Sequence, residues 1–196
     1  VDMRAILGLL MILVIAIGGY WLLNERSVTP TPVVNDAAPA TSTAPLLTYA
    51  SPEYGIEFRY SSSYQLEERD APGSAQRRHH IVTLMRKEDL PPPQGGEGPP
   101  AITIEMFQND LDDQTTEDWI RNSSLSNFKL SPDSRLSSTT IAGQSALSYT
   151  WDGLYRGDTI AIARPAYVYA FSVTYREPSD SIRTDFNALM RTVVFK

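Results

Sequence analysis

The chain contains no cysteine and only two histidines, the adjacent pair His79 and His80. The first absence excludes disulfides, thiolate metal sites, a cysteine nucleophile and a lipidated cysteine. Exported domains often rely on disulfides, so a domain of this kind must be held by its core. The scarcity of imidazole excludes a His-rich zinc centre, and adjacent strand residues point to opposite faces, so the two histidines cannot readily share a metal. Basic residues are also in deficit, with 17 Lys and Arg against 23 Asp and Glu, a formal net charge of −6. That balance argues against nucleic acid as a partner and against flat adsorption to anionic lipid. There is no phosphate-binding loop, no dinucleotide fingerprint and no G-x-S-x-G elbow, so no cofactor and no catalytic residue is expected.

Long apolar runs are scarce, with one exception. Ala5–Leu23 reads AILGLLMILVIAIGGYWLL, directly after Arg4. It is about 19 residues without a charge, close to the roughly 20 helical residues that cross a hydrocarbon core. Its length favours a retained transmembrane anchor over a cleaved signal peptide, whose apolar centre is usually about 7–15 residues. Residues 1–23 are therefore expected to anchor the chain in the cell membrane as a single pass. Residues 24–45 are rich in Pro, Thr and Ala and poor in large apolar side chains. Such a segment cannot bury enough surface to offset its ordering entropy and is expected to act as an extended spacer. Residues 46–196, about 150, form a domain of common size, expected to lie on the extracytoplasmic side.

Within that domain the pattern is strand-rich. Alternation marks Leu46–Tyr49, Ile56–Tyr60, Tyr64–Glu67, Ile81–Arg86 and Ala101–Phe107 as strands. KEDLPPPQGGEGPP, between the last two, is too rich in Pro and Gly to join a ladder and is expected to be a long exposed loop. Thr115 followed by Asp118 resembles a capping box and predicts a helix fading near Ser126. Leu136–Ile141, Gln144–Trp151, Thr159–Ala163 and Tyr167–Tyr175 are further strands, with turns at Ala142-Gly143, Asp152-Gly153 and Arg164–Ala166. Both faces of Tyr167–Tyr175 are apolar enough to be buried. Ile182, Phe186, Leu189, Met190 and Val193 recur at helical spacing and predict a closing helix. The fold class expected is α+β, with helices covering a mainly antiparallel sheet.

These segments resemble PsbP-like domains. Tyr54-Gly55-Ile56-Glu57-Phe58-Arg59-Tyr60, followed by Tyr64, is similar to their opening signature; Ile141–Ala146 is similar to their central turn; Val168–Val173 and Phe186–Phe195 are similar to their last strand and closing helix. The resemblance implies an α-β-α sandwich and a non-catalytic assembly or binding role. One branch of that family supports the oxygen-evolving side of photosystem II, and a relative of the same fold binds a nuclear-transport GTPase. Here Ser61-Ser62-Ser63 stands where the signature prefers proline, and the Pro/Gly loop is an insertion. No functional-residue motif is shared, so neither photosynthesis nor GTPase binding transfers to this chain.

Three places could carry function. Trp151, Tyr155 and Arg156 surround a hairpin turn, and exposed aromatics beside an arginine suit a contact with a protein or another envelope partner; the competing reading is that Trp151 closes the hairpin onto the sheet. Asn109, Asp110, Asp112, Asp113, Glu117 and Asp118 are an acid-rich stretch that could hold calcium weakly, although the EF-hand spacing fails and helix-terminus charge is the simpler reading. His79 and His80 are expected at a solvent-facing or edge position. Arg156-Gly157-Asp158 spells an adhesion tripeptide, too short to specify anything. The expectation drawn from all this is a membrane-anchored, extracytoplasmic, non-enzymatic binding or assembly module; a small-ligand or calcium sensor and a hydrolase are the alternatives.

Overall fold

A computed structural model describes residues 44–71, 77–91, 98–111 and 113–196. The Ala5–Leu23 segment and nearly all of the spacer lie outside the described residues. Among those described, no helix is long and apolar enough to cross a membrane.

The order is β1 (Leu46–Ser51), β2 (Ile56–Ser61), β3 (Tyr64–Ala71), β4 (His79–Arg86), β5 (Ala101–Gln108), α1 (Thr116–Asn122), β6 (Ser137–Ile141), β7 (Gln144–Asp152), β8 (Arg156–Ala163), β9 (Tyr167–Tyr175), α2 (Ser181–Met190) and β10 (Val194–Phe195). The fold is α+β, as the alternation predicts, but with two sheets rather than one. A seven-stranded sheet runs β3-β4-β5-β9-β8-β7-β6, and β1, β2 and β10 form a separate three-stranded sheet. Every pairing in both is antiparallel. The C-terminus closes the small sheet, where the Lys196 amide donates to the Gly55 carbonyl at 2.8 Å.

Local chemistry explains the boundaries. Ala142 and Gly143 both have positive φ, 48° and 75°, which a two-residue turn between twisted strands requires. Thr115 caps α1, accepting from the Asp118 amide. The helix stops at Asn122, short of Ser126, because Ser126 instead accepts from the Phe128 amide and starts a 3-10 turn over Asn127–Leu130. Asp180 caps α2 by accepting from the Ile182 amide.

The strand β9 is central and buried on both faces. On one face Ile182, Phe186 and Leu189 of α2 join Phe58, Val82, Ile104, Phe171 and their neighbours in the larger core. On the other, Trp119 and Ile120 of α1 pack with Phe107, Phe128, Tyr149, Val168 and Ala170 in a smaller one. The helices thus cover opposite faces of the large sheet.

Candidate functional site

The β7–β8 hairpin differs from its predicted turn. Asp152 pairs with Arg156, so the loop holds three residues, Gly153–Tyr155, and the Gly153 amide donates to the Tyr155 carbonyl at 3.0 Å. The cause lies one pair further in. Trp151 pairs with Gly157, and its indole lies so close over that glycine that a Cβ there would sit 2.2 Å from the ring. The indole Nε1 donates to the Thr159 hydroxyl at 3.0 Å, and the Thr159 and Ser172 hydroxyls share a 2.8 Å bond. Trp151 is half-buried against the smaller core and closes the hairpin onto the sheet.

The rest of the tip is more open. Tyr155 is half-buried and its hydroxyl donates to the Gly98 carbonyl at 3.1 Å, which ties the tip to the end of the Pro/Gly loop. Arg156 is exposed. Two leucines missed by the sequence reading are also open: Leu154, 65 % exposed at the apex, and Leu130, 40 % exposed and close beside Gly153. Their polar surroundings gave no period from which to pick them out. In the adhesion-like tripeptide, Gly157 lies under the indole, and Asp158 accepts from the Tyr175 hydroxyl and Arg183.

The histidines are not solvent-facing. Both are buried within β4, on opposite faces, each against carboxylates. The His80 ring places Nδ1 2.7 Å from Asp70 and Nε2 3.2 Å from Glu68, and stacks on Tyr54 at 4.4 Å. Burial, then Asp70 and Glu53, pushes the Tyr54 phenol up to about 12. His79 places Nε2 2.9 Å from Glu105 and stacks on Phe107. Glu68 and Asp70 are two apart, so on a strand they share one face, but only the β3–β4 register sets Asp70 opposite His80. The arrangement clamps the edge strand to its neighbour. Among the described residues, no three His, Asp or Glu side chains come together to hold a metal ion.

The acid-rich stretch is divided among structural tasks. Asn109 is buried; its amide donates to the Gln114 and Arg164 carbonyls and its oxygen accepts from the Gln114 amide. Asp118 accepts from the Thr115 hydroxyl at 2.6 Å, and Glu117 pairs with Arg121 at 2.7 Å. Asp110 is exposed, and Asp112 lies outside the described residues.

With this geometry in hand, likeness to solved proteins is informative. The solution structure of cyanobacterial PsbP (CyanoP) from Synechocystis sp. PCC 6803 matches with a TM-score of 0.50 at 12 % identity, over 80 % of this chain and 96 % of that one. The domain has a PsbP-like fold. At that identity the match shows the fold alone. A protein from Bacteroides thetaiotaomicron matches with a TM-score of 0.45 at 11 % identity, over 76 % of this chain and 48 % of that one, and adds nothing to the assignment of the PsbP-like domain. No family model and no curated protein matches the chain.

Proposed function

We propose that the chain is a membrane-anchored, extracytoplasmic, non-enzymatic binding or assembly module. In this reading Ala5–Leu23 holds it in the membrane and the β7–β8 tip docks on a protein of the cell envelope. The observation that carries the reading is Leu154, a large apolar side chain 65 % exposed at the apex of a hairpin that the Trp151–Gly157 pair holds rigid. An apolar anchor on a pre-organised scaffold binds without a large ordering cost, and a neighbouring arginine supplies orientation. The PsbP-like fold supports it, because it offers a covered sheet as a platform. Asp158, two residues past Arg156 on β8, already accepts from Tyr175 and Arg183.

A photo-crosslinking residue at Leu154 in intact cells tests this. The expected result is one discrete adduct, lost on Arg156→Glu and absent when the crosslinker stands at exposed Thr184 of α2. Diffuse labelling, or an adduct indifferent to Arg156, would sink the reading.

A further inference from the structure

The two adjacent histidines of β4 stand in settings suited to opposite charge states. The His80 ring is buried, and each of its nitrogens meets a different carboxylate: Nδ1 lies 2.7 Å from Asp70 Oδ1 and Nε2 lies 3.2 Å from Glu68 Oε2. An ionised carboxylate only accepts, and a neutral imidazole carries a single N–H. A neutral ring therefore donates to one of the two and turns a lone pair toward the other. The imidazolium, with both nitrogens as donors, satisfies the pair through bonds strengthened by charge. Neither carboxylate is shut away from water, the Asp70 side chain being 82 % exposed and that of Glu68 46 %. The Tyr54 ring stacks on the imidazole at 4.4 Å and offers its π face to a cation.

His79 is the contrast. Its Nε2 lies 2.9 Å from Glu105, while its Nδ1 is buried without a partner. A neutral ring donating through Nε2 fits there, because a second proton would leave a buried N–H with no acceptor.

The groups around His80 come from several elements. From β1, the Tyr49 hydroxyl donates to Glu68 Oε2 at 3.1 Å. Burial first, and neighbouring carboxylates after it, push the Tyr49 and Tyr54 phenols up, so both stay neutral near pH 7. Beyond Tyr54, Glu53 pairs with Arg78 at 2.6 Å, and Tyr167 of β9 meets the edge of the Tyr54 ring. From β5, Met106 stands opposite His80 and brings no charge. Glu68 and Asp70 belong to the edge strand of the large sheet, whereas Tyr49 and Tyr54 belong to the first strand of the small sheet and its turn. His80 is the point at which they join.

We propose that His80 is a proton-operated clamp: its imidazolium holds β3 on the large sheet and, through Glu68 and Tyr54, the β1–β2 end of the small sheet, and loss of one ring proton loosens both. The direction follows from the bonds. The charged ring makes two charge-assisted bonds in the folded chain, and the neutral ring keeps at most one. The clamp is therefore complete in mild acid and weakens as the pH rises through the range in which the ring loses its proton. This device does not rest on the role of the β7–β8 tip.

The full chain, purified in mild detergent, is followed by ring-nitrogen NMR and by backbone amide exchange between pH 5.5 and 8.5. At about pH 6, His80 is expected to carry protons on both nitrogens and His79 on Nε2 alone. Between about pH 6 and pH 8, protection of the β3 amides, corrected for intrinsic exchange and referred to β8, should fall about tenfold, the loss of one charge-assisted hydrogen bond. In His80→Gln, which cannot change charge, β3 protection should be low throughout and flat with pH. Asp70→Asn, at an exposed position, should leave the chain folded and remove most of the pH dependence. A singly protonated His80 ring at about pH 6, β3 protection that does not move with pH, or the same pH dependence in Asp70→Asn as in the wild type would each overturn the proposal.

Discussion

The two faces of the large sheet are closed by different means. On the α2 face, apolar side chains of β2, β4, β5 and β9 pack with the ten-residue helix in the larger cluster, with the buried His80 and its carboxylates beside it. On the α1 face, a seven-residue helix and a 3-10 turn cover a smaller cluster, and hydroxyls run through it: Trp151 to Thr159 to Ser172, with Ser126 sharing a 3.3 Å bond with Tyr149. An apolar face gains free energy from the area it buries and loses it when a cavity is opened in it. A face held by directional bonds fixes geometry, and it is that face which positions the hairpin tip.

The comparison can be broken most sharply at Phe171, fully buried on the α2 face. Phe171→Ala should cost about 3–5 kcal/mol in urea unfolding. A loss near 1 kcal/mol would mean that the face is not the main store of stability. On the other face, Gly157→Ala forces the indole off its seat, since the new methyl would fall 2.2 Å from it. The expected loss is about 2–3 kcal/mol, largely absent when Trp151→Ala accompanies it, because the clash is the whole effect. A double-mutant cycle with no coupling would refute the lock.

The smallest expected effect tests the attachment of α2. Burial would raise the Asp180 carboxyl, but hydrogen bonds from Arg86 and the Ile182 amide outweigh it and hold the group below the usual carboxylate range. A depressed folded-state pKa gives stability that is complete above the unfolded value of about 3.9 and is lost as pH falls through the folded value. Asp180→Asn should therefore cost about 1–2 kcal/mol at pH 7, and the difference from wild type should shrink toward zero in acid. A difference independent of pH would show that the Arg86 contact at 2.7 Å contributes nothing.

Elements set by local chemistry were legible in the chain. Alternation named the central strand, Thr115 and Asp118 named a helix start, and Ala142-Gly143 named a turn, each within a few residues. The order of these signals also pointed to the PsbP-like fold. What was not legible depended on register. Asp152-Gly153 looked like the turn, but the Trp151–Gly157 pair moved it by selecting which residues face each other. His79 and His80 looked exposed because polar residues at a predicted strand start give no sign of burial; only the pairing of β3 and β5 with β4 brings Glu68, Asp70 and Glu105 to them.

By itself the sequence determined periods, caps and turns, since each depends on neighbours along the chain that no fold can separate. It also determined the acidic balance and the absence of thiol chemistry, which are properties of composition. The tertiary structure alone decided that Ser137 and Ser148 fall in line with Ile160 and Phe171, so that an apolar row gives way to hydroxyls. Such a row is assembled from separate strands, and its chemistry exists only once hydrogen bonding has fixed which residue stands beside which.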